Sequence, residues 1–469
     1  MPRCTPTAEH SIAKAYRNRG SGMLFKDGVF MNHKKTNHKT IATLLALIPG
    51  FGHFYNKQYW QGGAILTILA AYVCLTMNTV VRGTQGGGIA GLFTLGTVPG
   101  QDHSLFFLVE GLLSLFLIAV GLGIYLFSIY DARKNGRRRD EGEPLYSMRD
   151  QYKAVMNRGF PYLIMAPGLI AMTLAVVFPI ITTVMISMTN YNINHMPPKK
   201  LFSWVGLKNY ADMFTMDSWK NALLYTLSWT LIWTVCATLL TIVMGILVAV
   251  TVNQKEIRFK RFWRTVIILP WAVPAFISIL MFAVFFNDSF GAMNQQVIPF
   301  FDKLLPFLNL HALPWKTQVA YTRLALILIQ GWLGFPYIFV MVTGVLQSIP
   351  GDLYEAAQID GASRFQQFRS ITLPWILSAT APVLITQFTF NFSNFNIIYL
   401  FNSGGPVIAG QLTGGTDLLV SWVYKITTES VTREFGMGAA ITVFVSLIVM
   451  AIALTQYVRT DAFKGGNEQ

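Results

Sequence analysis

Apolar runs of more than 18 residues alternate with short polar segments along most of this chain, the pattern of a protein that crosses a bilayer repeatedly. The runs predict eight transmembrane helices, near 61–81, 104–130, 161–188, 219–252, 263–286, 319–346, 373–399 and 435–458. The fold class is therefore an all-α polytopic membrane protein. Residues 40–55 break the pattern: they are apolar, but short and interrupted by Pro49, Gly50 and Gly52. A ninth span there would put the basic N-terminus outside. A re-entrant or interfacial element, anchored by Tyr55, Tyr59 and Trp60 at headgroup level, is the better expectation.

Charge fixes the expected orientation. About two-thirds of the 36 Lys and Arg residues fall in 1–39, 131–158, 253–264, 347–372 and the C-terminal tail. Placing these segments in the cytoplasm puts both termini inside. The net charge of +14 is then a topology signal and not a nucleic-acid signature. No cleavable signal peptide is evident, because the first 39 residues are polar and no small-residue cleavage site follows the first apolar stretch. Three parts are expected: a disordered basic tail at 1–39, an N-terminal block at 40–158 with two spans and a basic linker, and a six-span block at 159–469. The linker basic residues Arg133, Lys134, Arg137, Arg138 and Arg139 are read as topology determinants, with anionic-lipid contact as a secondary reading.

Several chemistries find no support. Cys4, Cys74 and Cys236 are scattered and imply neither a disulfide framework nor a metal site. No Gly-x4-Gly-Lys-Ser/Thr loop is present, so no nucleotide is cradled by that route. The spans hold few ionisable groups, chiefly Glu110 and Arg323, which argues against proton or sodium coupling. Glu110 reads either as a relay group or as an acid facing a helix neighbour. His53, His103, His195 and His311 are dispersed, which disfavours a membrane enzyme.

Neutral polarity is what the spans offer. Gln387, Asn391 and Asn394 recur at i, i+4 and i+7, and Phe388, Phe390, Phe392 and Phe395 surround them. Gln330 to Tyr337 adds Trp332 and Tyr337 to a helix loosened by Gly331, Gly334 and Pro336. Amides and ring faces suit the hydroxyls and C–H faces of a sugar. The same residue types also join membrane helices to one another.

Between the sixth and seventh spans lies an unusually long polar connector. Pro350 and Gly351 break the preceding helix, Asp352 is placed to cap a new one, and Gly361 permits a turn into a second amphipathic stretch ending at Pro374. Its residues Glu355, Ala356, Ala357, Gly361, Ala362, Ile371, Leu373 and Pro374 match the EAA signature of permease subunits of ATP-driven (ABC) importers. Further pieces include Ala-Pro-Gly at 166–168, Ser-Met-Thr-Asn-Tyr at 187–191 and Leu-Pro-Trp-Ala-Val-Pro at 269–274. Trp-Leu-Gly-Phe-Pro-Tyr at 332–337, Phe-Asn-Phe-Ser-Asn-Phe-Asn at 390–396 and Asn-Ser-Gly-Gly-Pro at 402–406 complete the set. Over about 161–458 the chain resembles the large, MalF-type permease of maltose/maltodextrin importers.

That resemblance implies a type I ABC importer permease core in the last six spans and a bacterial or archaeal cytoplasmic membrane. It also implies a MalG-type second permease, a pair of MalK-type ATPase subunits that use ATP, and an extracytoplasmic sugar-binding protein. No cofactor is implied on this chain. By matching motif positions it implies sugar contacts from Trp332, Gly334, Tyr337, Gln387, Asn391 and Asn394, with Ser278 a weaker candidate, and a coupling loop at 352–372. A different oligosaccharide, a glycoside or glycerol phosphate is the alternative cargo. The loop at 189–218 is only about thirty residues long, where enteric members carry a large external domain, and residues 1–160 bear no matching motif.

Overall fold

The computed structural model describes residues 37–84, 86–145, 148–254, 256–309 and 311–459. The expected tail at 1–39 lies almost wholly outside the described residues. Among the described residues, seven helices are long and apolar enough to cross a bilayer: Tyr59–Val81, Ser104–Asp140, Phe160–Ser187, Asp217–Asn253, Val319–Ser348, Arg364–Asn402 and Phe435–Thr455. The remaining expected span, the fifth at 263–286, is a pair of helices, Lys260–Ala272 and Ala275–Phe285, meeting at 86°. Proline chemistry makes this elbow. Pro274 has no N–H to donate and forces Val273 into an extended conformation (φ −92°, ψ 130°), so the helix stops there and restarts.

The described residues divide into two compact units, 37–75 with 119–161 and 76–118 with 162–459. In the first, residues 38–55 form two short helices, α1 (His38–Leu45) and α2 (Phe51–Tyr55), neither long enough to span. Gly50 turns the chain between them with φ +83°; a Cβ there would sit 2.4 Å from the Gly62 carbonyl oxygen. The open N-terminus of α1 is satisfied from elsewhere in the unit: the Asp140 carboxylate accepts from the His38 and Lys39 backbone N–H groups at 2.8 and 2.9 Å. Arg139 donates to the Tyr55 carbonyl at 2.9 Å, and Asn56 Nδ2 donates to the Ala132 carbonyl at 2.9 Å. His53, fully buried, pairs with Asp131 at 3.1 Å.

In the second unit the central scaffold is a helix pair, α3 (Asp217–Asn253) and α4 (Val319–Ser348). Small residues let the two backbones approach: a Cβ at Gly245 would meet Ile338, one at Gly331 Leu240, and one at Gly334 Thr241, each within 2.7 Å. Trp229 and Trp233 of α3 pack with Ile279, Phe286, Trp315, Leu326, Ile397 and Phe401 in one buried cluster. By contrast the most apolar stretch of Phe160–Ser187 buries nothing against the described residues.

At one end of this scaffold the loop 403–418 is held by polar contacts. The fully buried Asp417 carboxylate accepts from Gly414 N, Ser421 Oγ and Lys425 Nζ at 2.7, 2.9 and 2.7 Å. Arg323, one of the two ionisable groups noted within the spans, donates to the Gly415 carbonyl at 3.0 Å and lies 4.1 Å over the Trp229 ring. The other, Glu110, accepts from the backbone N–H and hydroxyl of Thr84 and so closes the turn after Val81.

Candidate functional site

A cavity of about 460 Å³ opens in the second unit where the elbow, α4 and the seventh span converge. The elbow contributes Pro270, Trp271, Val273, Pro274 and Ala275, and α4 contributes Gln330, Leu333, Gly334 and Tyr337. The last wall comes from α5 (Leu373–Phe392) and α6 (Phe395–Asn402), which supply Gln387, Phe390, Asn394 and Asn396. None of the lining side chains is ionisable except the phenol of Tyr337. Four amides face three aromatic rings, Trp271, Tyr337 and Phe390, and the Trp271 and Tyr337 rings lie 5.5 Å apart. Such a chamber offers hydrogen-bond donors and acceptors together with flat apolar faces, and places no charge against the ligand.

Local structure explains the placing of the amides. Helix α5 ends at Phe392, and Asn394 takes the cap position of α6, where its Nδ2 reaches Gln330 Oε1 at 3.0 Å. Of the residues expected from sequence, Gly334, Tyr337, Gln387 and Asn394 line the cavity together. Asn391 does not. It is fully buried in the seam with α3, donating from Nδ2 to Thr238 Oγ1 at 2.9 Å while its carbonyl accepts from Trp233 Nε1 at 2.9 Å. Trp332 also faces elsewhere, packing edge-on against Phe282 at 5.1 Å, and Ser278 is buried in helix Ala275–Phe285 outside the lining. Gly334 lines the wall but is also required by the close approach of Thr241.

Sequence reasoning missed Trp271 and Asn396 as wall residues. A signal for the first exists: the ring sits inside Leu-Pro-Trp-Ala-Val-Pro, between two prolines four residues apart, where a straight helix is not expected.

The connector is a helix Gly351–Ile359, a turn at Gly361 with φ +77°, and a second short helix Arg364–Gln367 opened by a Ser363–Gln366 capping box. Asp352 was expected as the cap of the first helix; Pro350 occupies that position, and Asp352 lies in the first turn, where its charge meets the positive helix end. Glu355, Ala356, Gly361 and Pro374 are exposed, Ala357, Ala362, Ile371 and Leu373 half-buried. Leu373 joins the cluster around Ile338 and Ile376 and so ties the connector to the scaffold. Two apolar side chains stand out from it, Ile359 at 87% exposure and Phe365 at 69%. Arg364 reaches across to Glu256 at 2.6 Å; backbone hydrogen bonding at Glu256, then this guanidinium, hold that carboxyl below the usual carboxylate range.

The sequence profile of the family described as binding-protein-dependent transport system inner membrane component matches residues 241–460. Galactooligosaccharides transport system permease protein GanP of Bacillus subtilis is 48% identical over 91% of this chain and 99% of its own length. The chain belongs to this permease family. Maltodextrin transport system permease protein MdxF of the same organism is also 48% identical, over 93% of this chain and 99% of its own. Maltose/maltodextrin transport system permease protein MalF of Escherichia coli K12 is 38% identical over 53% of this chain and 48% of its own. Among solved structures, a bacterial ABC transporter involved in the import of the acidic polysaccharide alginate superposes with a TM-score of 0.52 at 20% identity, covering 66% of this chain and 98% of that one. This permease therefore has the ABC importer permease fold and is a multi-pass membrane protein.

Proposed function

We propose that this permease carries a neutral oligosaccharide of the maltodextrin type into the cell, through the cavity between the elbow, α4 and α5–α6. The observation that carries this reading is the uncharged wall of amides and rings in a chain 48% identical to oligosaccharide permeases along nearly its whole length. A phosphorylated cargo would call for cations, and no lining residue supplies one. Gly334, Tyr337, Gln387 and Asn394 are the proposed contacts from sequence, joined by Trp271 and Asn396. Galacto-oligosaccharides are the second reading, because GanP and MdxF stand at the same identity.

The energy comes from elsewhere in the proposed assembly. A second permease, a pair of ATPase subunits on the cytoplasmic side and an extracytoplasmic binding protein complete it, with both termini of this chain cytoplasmic as the basic segments require. The connector at 352–372 is the proposed lever: Ile359 and Phe365 seat in an ATPase subunit, and Leu373 passes the movement to the scaffold. Closure of the ATPase pair then turns the cavity from one side of the membrane to the other, and the three parts of the chain act as tail, N-terminal block and permease domain.

Uptake of labelled maltotriose and of a labelled galactobiose by cells lacking the native chain, complemented with this one or with Trp271→Ala, tests the proposal. Expected is uptake of the α-glucan with at least a tenfold weaker apparent affinity in the variant. Uptake of the galactoside alone selects the second reading, and uptake of neither refutes both.

A further inference from the structure

We infer that the first unit carries a binding site for an anionic phospholipid, built from an apolar groove on helix Tyr59–Val81 and two cations beside its entrance. The groove, about 580 Å³, is lined by Tyr59, Trp60, Gly63, Ala64, Thr67 and Ile68. These positions recur along one face over two to three turns, a strip running from the helix end toward the bilayer interior. Gly63 and Ala64 make the hollow, and the rings of Tyr59 and Trp60, 67% and 79% exposed, wall its mouth at the depth where aromatic side chains meet headgroups. The floor is not waiting for a neighbouring side chain: a Cβ at Gly63 meets nothing within 4 Å.

The cations follow from one contact. Asn56 Nδ2 bonds the Ala132 carbonyl at 2.9 Å, which brings the chain at 56 against the chain at 132; Lys57 and Arg133 are each the next residue along, and Lys57 lies two residues before the groove begins at Tyr59. Both are exposed. The acids around them are engaged elsewhere: Asp131 with His53 and Asn135, Asp140 with the N-terminus of α1, Glu141 with Arg137, and Glu143 with Arg138. Among the described residues neither Lys57 nor Arg133 has an acidic partner. A phosphodiester between them, with an acyl chain laid along Gly63 and Ala64 toward Ile68, satisfies charge and apolar surface at once. Free phosphate matches only the first half of the site, and the bilayer supplies the whole ligand.

The test uses membrane vesicles from cells expressing the full chain, so that every natural partner is present. A photoactivatable phosphatidylglycerol with its reactive group on the acyl chain is introduced, and labelled positions are mapped by mass spectrometry. A matching phosphatidylcholine probe is run beside it. Expected is labelling within Tyr59–Ile68 several-fold stronger with the anionic probe, and not competed by inorganic phosphate. Labelling should fall about fivefold for each cation removed, in Lys57→Asn, whose side chain tolerates the left-handed backbone at 57, and in Arg133→Gln. Gly63→Leu, whose Cβ meets nothing within 4 Å, should reduce labelling by both probes. Equal labelling by the two headgroups identifies ordinary boundary lipid and overturns the inference. So does an absence of labelling in these vesicles, which means that protein covers the groove, or labelling unchanged in the double variant.

Discussion

Asn394 Nδ2 and Gln330 Oε1 are joined across 3.0 Å at the inner wall of the cavity, one from the cap of α6 and the other from the middle of α4. Both residues are over nine-tenths buried, yet both border the chamber. The bond fixes which amide atoms remain for a ligand. Asn394→Ala should leave Gln330 Oε1 without its protein donor, cost about 1 kcal/mol in thermal stability, and weaken apparent sugar affinity severalfold. Thermal unfolding and concentration-dependent uptake, measured on the same variant, check both halves.

Gln387 and Asn391 make a contrasting pair one turn apart. Gln387→Ala should lower apparent affinity in uptake while leaving thermal stability near that of the parent. Asn391→Ala removes the donor to Thr238 in the α3 seam and should lower stability by about 1 kcal/mol without changing apparent affinity in the surviving protein. Reversal of this split between the two variants would place the ligand in the seam instead.

Gly361 holds the connector in a left-handed turn with open space around it, so strain and not collision decides what replaces it. Gly361→Ala should cost about 1 kcal/mol locally and lower sugar-stimulated ATP hydrolysis in the assembled importer. Gly361→Asn, better suited to this conformation, should restore much of the stimulation, and Gly361→Asp should retain membrane insertion. ATPase assays in proteoliposomes, with and without binding protein and sugar, read the outcome.

Asp417→Asn should be the most damaging conservative change in the loop 403–418. The carboxylate is fully buried against Lys425 Nζ, and its removal leaves an ammonium that is four-fifths buried without its counter-charge. A loss of about 3 kcal/mol is expected, with increased protease cleavage in the loop as the direct readout. Lys425→Met with Asp417→Asn should recover part of the loss.

Asp102 supplies the pH dependence. Backbone N–H groups of Val98 and then Thr97, at 2.8 and 2.6 Å, hold its carboxyl below the ordinary aspartate range. A carboxyl with a lowered folded-state pKa stabilises fully above the unfolded value of about 3.9, and that contribution disappears as pH falls through the folded value. Acid unfolding followed by tryptophan fluorescence should therefore show a weaker dependence below pH about 4 in Asp102→Asn than in the parent.

The spans were legible because twenty apolar residues in a row have one common explanation in a chain of this composition. The elbow at Val273–Pro274 was not, since membrane helices tolerate proline and Pro167, Pro336 and Pro382 all sit inside helices here. For the site, the amide stripe of the seventh span identified the right helix but one wrong face. The stripe presumes one helix through residue 394, but α5 ends at Phe392 and Asn394 caps α6 with non-helical backbone, so 391 and 394 do not share a face: Asn394 turns to the chamber and Asn391 stays in the seam. Trp271 was hidden for the complementary reason: its position depends on a bend, and hydropathy has no term for direction. The connector was legible residue by residue, apart from its cap, because glycine and proline punctuate it.

The elbow gives this protein a wall that is also a joint. Its two legs, about 20 and 17 Å long at 1.5 Å per residue, are each too short to cross the roughly 30 Å hydrocarbon layer. Trp271 and Pro274 at the corner are at the same time the surface that a passenger would touch. Anything that fills the chamber therefore meets the residues of the crease itself.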